Sequence, residues 1–393
     1  MRKTHRFLLP PTSLRISLSL LTIMLTACTS RASSPAPDMS AALTQAVATA
    51  FAQLQPTSTP PSTETPTPSV TAIRTPPTLP PIFTTNALNA LDTPHTYIQD
   101  SCQYLKAKWD PNNASPGTVV MVIMFHSISK GQAEDANQIS AADFKKLMND
   151  LHELGFTAIN IQQLTDFLYN NSSIPHRSVL LVVDDRHFAE YFNDHFRPFH
   201  DRWGWPVVNA YIAKDERPDL WAENAALSAE GWVDYQAHGV IHNINMNDNS
   251  TDEFLTGELQ GAINNLQKYM NKTPIAIVWP GGDFGIRPVQ FARQFGYKLG
   301  FTVNPRGPVM FNWIPQADQP DPARPYSIPE GPVGDPLMTL PRYWDTDARG
   351  HLDTVSQIGE QATAFAGQNQ ATELEYYDIV CAPTLGPISA FVP

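Results

Sequence analysis

Two carboxylates and two imidazoles stand at spacings that suit a catalytic metal site. Asp184 and Asp185 end the apolar run 178–183, and His238 and His242 follow a second strand-like run at 232–237. Imidazole nitrogens with one carboxylate oxygen are ligands that a catalytic divalent ion such as zinc uses when it keeps a position open for water. The sequence therefore predicts a metal site, with the second aspartate free to act as a base.

Each pair alone has an ordinary explanation. Adjacent aspartates usually lie in a solvated turn because like charges repel, and a His-x-x-x-His spacing arises by chance on helices and loops. The combination is more informative, because both pairs directly follow buried-type strands. Such strand ends meet at one edge of an α/β sheet, where ligands bind.

Strands and helices alternate from about residue 117 onward. An apolar run at 118–125 ends at His126, and Ser140 is the predicted cap of a helix that ends at Gly155. The clearest helix covers 252–270, with Ser250 and Glu253 spaced as a capping box. Further strand-like segments lie at 157–161, 178–183, 207–213, 232–237, 275–279 and 298–303. This alternation predicts a parallel sheet closed, or nearly closed, into an α/β barrel that carries the chemical residues on one rim.

Composition restricts the class of protein. The 393 residues are 42% apolar, enough to bury a sizeable core. The net charge of −12 argues against nucleic acid as a partner, because a phosphate backbone requires a basic surface.

The N-terminus carries the features of an export signal. Arg2, Lys3 and Arg6 precede the apolar stretch 14–25, and Leu-Thr-Ala-Cys ending at Cys28 resembles the lipobox of a bacterial lipoprotein. Lipidation of Cys28 would anchor the mature chain to the bacterial membrane on its extracytoplasmic side. The alternative is a short membrane helix with a chance cysteine, but the apolar run is short for spanning a bilayer.

Proline and threonine dominate the next segment, which lacks the apolar content for a core. The predicted organisation is a signal peptide at 1–27, a lipidated cysteine and Pro/Thr/Ser-rich disordered linker at 28–95, and a catalytic domain at 96–393 with its core at 117–345. Cys102 and Cys381 form an even pair in an oxidising compartment, and we expect a disulfide between them; the alternative is two buried free thiols.

The motifs resemble those of the polysaccharide deacetylase family, the NodB-homology carbohydrate esterases. Residues 182–186, Val-Val-Asp-Asp-Arg, stand where that family has Thr-Phe-Asp-Asp-Gly, and 238–242, His-Gly-Val-Ile-His, stand where it has His-Ser/Thr-x-x-His. Trp-Pro-Gly-Gly at 279–282 matches a Tyr-Pro-Tyr-Gly segment, and Leu-Pro-Arg at 340–342 resembles the closing strand. The resemblance covers about 117–345 and implies a distorted (β/α)7 barrel.

The resemblance also implies roles for individual residues. Asp185, His238 and His242 would hold the divalent metal, most simply zinc, and Asp184 would be the general base. The backbone N–H of Gly281 would stabilise the oxyanion. Trp279 and Pro280 are the expected substrate contacts.

Departures from the family motifs leave some roles open. Arg342 stands where many members have a histidine acid, and an arginine cannot donate a proton near neutral pH. His126 is the candidate acid, with a purely structural histidine as the alternative, while Arg342 is a candidate to orient Asp184. Arg186 replaces the family glycine, and Gly281 replaces an aromatic residue that would stack on a sugar.

Together these features predict a metal-dependent hydrolase of carbon–nitrogen, non-peptide bonds. It would remove acetyl groups, preferably N-acetyl, from a cell-wall or extracellular polysaccharide such as peptidoglycan or poly-N-acetylglucosamine. The alternative is a non-catalytic glycan-binding surface lipoprotein on a degenerate barrel, motivated by Arg186, Gly281 and the missing acid. The four intact metal-site and base residues argue against this alternative.

Overall fold

The computed structural model describes residues 74–242 and 244–388. Twelve strands are present in that part of the chain: β1 Asp92–His95, β2 Val119–Phe125, β3 Ser127–Ser129, β4 Gln138–Ser140, β5 Thr157–Ala158, β6 Arg177–Asp184, β7 Val207–Tyr211, β8 Val233–Ala237, β9 Ala276–Val278, β10 Leu299–Phe301, β11 Ile314–Ala317 and β12 Tyr343–Trp344. The helices are α1 Ser101–Trp109, α2 Ala141–Glu153, α3 Ile161–Asn170, α4 Ala189–His195, α5 Arg197–Trp203, α6 Pro218–Ala229, α7 Asp252–Met270, α8 Ile286–Gln294, α9 Asp345–Tyr376 and α10 Ala382–Leu385.

The main sheet is parallel and closes on itself. Its strands run in the order β10, β9, β8, β7, β6, β2 and β12, with β5 paired to the first half of β6. Leu340, three residues before β12, returns to the opposite edge: its N–H donates to the Gly300 carbonyl, and its own carbonyl accepts from Thr302 N–H. The segment 340–344 thus joins β10 to β2, and the predicted α/β barrel is confirmed.

Alternate residues of the strands face two separate apolar layers. One layer fills the barrel and includes Val122, Val182, Ala210 and Val278. The other, between strands and helices, includes Ile123 and many residues of α2, α7 and α9. Because both faces of the strands are covered, the strands are nearly continuous apolar runs, as parallel sheets require.

The long helix α9 extends along the outside of the barrel and leads to Cys381. The predicted disulfide between Cys102 and Cys381 is confirmed, and it joins α1 to the end of the described chain across a sequence separation of 279 residues. Leu105 and Tyr377 pack beside it in a small buried cluster.

The predicted start of the folded domain at residue 96 is wrong. β1 pairs antiparallel with β11, and Phe83 packs against the main core. Asp92 is buried and accepts hydrogen bonds from Arg306 and Arg324. Residues 74–95 thus have the composition of a linker, but tertiary contacts fix them in place.

Local helix signals were mostly sufficient. Ser140 caps α2 by accepting from Asp143 N–H, as predicted. The cap of α7 is Thr251 rather than the predicted Ser250, because the Ser250 hydroxyl accepts instead from Asn247 N–H. The segment expected to be a strand at 157–161 is shorter, since Ile161 begins α3.

The signal peptide, the lipidation site Cys28 and most of the predicted linker lie outside the described residues. In the described ranges, no helix has both the length and the apolar character needed to cross a membrane.

Candidate active site

The predicted metal ligands converge at the carboxyl ends of β6 and β8. Asp185 directly follows β6, and its Oδ1 lies 3.5 Å from His242 Nε2 and 3.9 Å from His238 Nε2. Two ligands about 2.1 Å from a tetrahedral zinc would be separated by about 3.4 Å. The three side chains therefore fit a divalent ion.

Two of these ligands have unusual backbone conformations. Asp185 has φ = 74° and His242 has φ = 65°, both in the left-handed region that residues other than glycine rarely occupy. Such conformations persist at functional sites where the surrounding structure over-determines them.

His238 is held in the tautomer that a metal ligand needs. Its ring is buried, and Nδ1 lies 2.8 Å from the Val278 carbonyl oxygen, which can only accept a hydrogen bond. Nδ1 therefore carries the hydrogen, and the Nε2 lone pair faces Asp185. Burial lowers the pKa of His238 to about 4 despite the opposing charge of Asp184, so the ring is neutral at pH 7.

Asp184 is buried and paired with Arg342. Arg342 Nη1 donates to Asp184 Oδ1 at 2.6 Å, and Nε donates to the Thr302 carbonyl. Burial alone would raise the pKa of Asp184, but the charges of Arg342, His238 and His126 lower it to about 2. The carboxylate is thus ionised at neutral pH.

His126 lies on the other side of Asp184. Its Nε2 is 3.6 Å from Asp184 Oδ2, and its ring stacks on Trp344 with the centroids 5.6 Å apart and the planes inclined by 13°. The predicted convergence of His126 and Asp184 on one rim is therefore observed. Nothing in the sequence indicated that Trp344 would hold the ring.

Glu258 on α7 fixes the loop that carries both candidate histidine ligands. This carboxylate is buried and accepts from the backbone N–H groups of Val240 and Ile241 at 2.7 and 2.9 Å. A Cβ on Gly239 would lie 2.5 Å from Glu258 Oε2, and the φ of 71° at this position favours glycine, so a larger residue would strain the backbone and displace the carboxylate. Sequence reasoning missed Glu258, and its helical position among apolar residues was the only available signal.

Gly281 lies in the turn after β9, and its φ of 63° suits glycine. A Cβ at this position would lie 2.6 Å from Asn245 Oδ1, so the aromatic residue of the family motif would displace Asn245. Asn245 Nδ2 donates to Asp283 Oδ2, which holds the amide over the turn.

The predicted substrate contact of Trp279 is wrong. Its ring is fully buried, and Nε1 donates to the Met338 carbonyl. Pro280 is buried as well. Both residues instead shape the turn that carries Gly281.

Arg186 extends toward the loop after β7, where Nη1 donates to Glu216 Oε1 at 2.9 Å. Positive φ falls on Asp185 and not on Arg186, so the arginine does not strain the backbone where the family has glycine. His187 is half-buried with Nε2 3.0 Å from the Asp184 carbonyl oxygen, and this neighbour holds its ring in place.

Several solved structures resemble this chain. A Streptococcus pyogenes deacetylase, PplD, is 19% identical with a TM-score of 0.45, over 57% of this chain and 92% of that protein. The polysaccharide deacetylase BC0361 of Bacillus cereus is 19% identical with a TM-score of 0.42, over 57% of this chain and 64% of that protein. A de-N-acetylase of Aggregatibacter actinomycetemcomitans is 17% identical with a TM-score of 0.44, over 57% of this chain and 94% of that protein.

Deacetylases are thus among the structures this chain resembles. No protein-family model matches the chain, and no curated protein matches its sequence. Sequence identity below 20% does not show that two proteins share an activity. The reaction is therefore argued from the geometry of the site.

Proposed function

We propose that the protein is a metal-dependent deacetylase that removes acetyl groups, preferably N-acetyl, from a cell-wall or extracellular polysaccharide. The observation that carries this proposal is that a candidate metal site and a candidate general base lie side by side at the end of β6. Asp185, His238 and His242 offer three ligand atoms within 4.8 Å of one another, and an ionised Asp184 lies next to them.

A bound divalent ion, zinc in the first instance, would polarise the acetyl carbonyl and acidify a water molecule. Asp184 would take the proton of that water. Its low pKa keeps it ionised but makes it a weak base, so it depends on water that is already acidified. Arg342 holds the carboxylate in position.

The leaving amine requires a proton, and His126 is the candidate donor. It lies beside Asp184, is partly exposed to the rim and is oriented by Trp344. The Gly281 N–H has no hydrogen-bond acceptor among the described residues, which leaves it available to a developing oxyanion.

A polysaccharide suits the surroundings of the ligands. Four exposed apolar side chains flank the strand ends that carry the site: Phe188, Ile241, Ile244 and Ile286. Apolar surface of this kind is suited to the faces of sugar rings. With a lipid anchor at Cys28, the enzyme would act at the extracytoplasmic surface of a bacterial membrane, next to peptidoglycan or an exported amino-sugar polymer.

The test is acetate release by the full chain from N-acetylated chito-oligosaccharides and peptidoglycan, with zinc added after removal of metal. We expect release that requires metal and is lost in Asp184→Asn and His238→Ala. The matched control is Glu223→Gln, an exposed carboxylate on α6. Metal binding by a chain that releases no acetate from any of these substrates would instead favour the glycan-binding lipoprotein.

A further inference from the structure

A groove of about 720 Å³ lies between α2 and the first turns of α9, under the residues that lead into β4. Five carboxylates line it and only one guanidinium does. The acidic residues are Asp143, Asp150, Glu153, Asp345 and Asp353. None of them takes part in the reaction proposed above.

Two of these carboxylates have basic partners and two do not. Asp143 accepts from Lys146 at 3.0 Å, and Asp150 pairs with Arg349. No described residue forms a salt bridge with Glu153 or Asp353. The groove therefore retains a negative charge that the surrounding protein does not neutralise.

Asp345 gives an independent indication of a ligand. It lines the groove but is only 2% exposed, and its Oδ2 has no hydrogen-bond partner among the described residues. A buried acceptor without a partner costs about 1–3 kcal/mol, so such atoms are rare unless they serve a purpose. A donor that enters the groove would satisfy it once the side chain turns toward the groove that it lines.

A single chelated metal ion does not fit these carboxylates. In the described residues, the group of acidic or histidine side chains close enough to share one ion is Asp185, His238 and His242. The carboxylates of the groove are spread along two helices instead. Spaced negative charges match a ligand that carries several separate cationic groups.

The groove begins beside the candidate active site. Trp344 pairs in register with Met124 of β2, so Asp345 lies at the level of Phe125, where β2 ends one residue before His126. Trp344 also stacks on His126, and Arg342 three residues earlier holds Asp184. A polymer chain that leaves the site along this side would reach Asp345 first.

We propose that this groove binds the ammonium groups of an amino-sugar polymer that has already lost acetyl groups. The choice of polymer rests on the proposed function, because deacetylation creates a primary amine, and a carboxylate beside that amine favours its protonated, ammonium form. Asp345 takes one ammonium group, and Glu153 and Asp353 take others farther along the groove. The enzyme would thereby favour chains that it has begun to deacetylate.

The test is isothermal titration of the full chain with a fully de-N-acetylated glucosamine hexamer. This probe has no acetyl group, so its binding is read independently of acetate release, and failure of the proposed reaction would leave the result standing. We expect at least tenfold weaker binding in Asp345→Asn and in the double variant Glu153→Gln/Asp353→Asn. Glu223→Gln on α6 should bind as the parent chain does.

The double variant changes two exposed side chains and keeps the test decisive if Asp345→Asn fails to fold. Absence of binding by the parent chain, or equal binding by the folded variants, would overturn the proposal. A lysine hexamer serves as the competing ligand. If it binds as tightly and with the same dependence on Asp345, the groove is a general cation surface and the assignment to amino sugars is wrong.

Discussion

Arg342 determines how the candidate base is held and charged. It is fully buried, and its guanidinium joins Asp184 to the carbonyl of Thr302. Removing it leaves the Asp184 charge without its main partner, so the pKa of Asp184 should rise and the carboxylate should lose its orientation.

We expect Arg342→Gln to lower kcat/KM for acetate release about 100-fold, because misplacement of a reacting group by about 1 Å has an effect of this size. Zinc affinity should change little, since no ligand contacts the guanidinium. Arg202→Gln, an exposed arginine of α5, is the control. A variant with the parent rate would exclude a positioning role for Arg342.

Glu258 is expected to act on metal affinity through the loop between the histidines. Residues that orient metal ligands typically change affinity by about 10–100-fold when removed. We expect Glu258→Ala to weaken zinc binding within this range, measured by competition with a chromophoric chelator. Glu258→Gln retains one acceptor and should lose less, and the exposed Glu253→Gln on the same helix should lose nothing. If all three variants bound zinc as tightly as the parent chain, the loop would hold its shape without the carboxylate.

At the scale of the elements, α9 begins with a carboxylate that its surroundings keep partly protonated. Burial raises the pKa of Asp345 to about 7, more than the backbone N–H groups of the helix start can offset. In the unfolded chain an aspartate titrates near pH 4. Between about pH 4 and 7 the folded state therefore binds a proton that the unfolded state has lost, so this group makes stability fall as pH rises.

Asp345→Asn cannot ionise and should lose this slope. Relative to the parent chain, the free energy of unfolding of the variant should rise by about 2–4 kcal/mol between pH 4.5 and 7. Above pH 7.5 the difference between the two chains should stay constant. Urea unfolding at pH 4.5, 6 and 8 measures this. Parallel curves for the two chains would contradict the burial effect.

Elements with a strong local pattern were predictable, and contacts between distant residues were not. The apolar runs of β2 and β6 and the helix α7 were located to within about a residue, because burial on both faces or at helical spacing is written in the sequence. The convergence of Asp185, His238 and His242 was predictable because these residues directly follow such strands. The stacking of Trp344 on His126 joins residues more than 200 positions apart, and no local pattern encodes it.

For the whole molecule, the segment 74–95 is the part whose composition was most misleading. It is rich in proline and threonine, yet it supplies β1 and the buried Asp92. Arg306 is 1% exposed and depends on Asp92 and Glu330 for its charge balance. Deleting the segment would leave a buried ion network with one carboxylate missing.

We therefore expect a chain that starts at residue 96 to be less stable than one that starts at residue 74. Loss of one partner from a buried ion network typically costs about 3–5 kcal/mol, so the thermal midpoint should fall by about 6 °C or more. Asp92→Asn in the longer chain should reproduce much of this loss. Equal midpoints for the two truncated chains would show that residues 74–95 are a linker that does not stabilise the domain.

The closure of the barrel by residues 340–344 has a consequence for biosynthesis. The three candidate metal ligands are complete once residue 242 has been made, but the segment that seals the sheet and delivers Arg342 emerges about 100 residues later. A chain still being synthesised would carry the candidate ligands without an oriented base. Hydrolytic competence would thus arrive only with β12, about 100 residues after the candidate ligands.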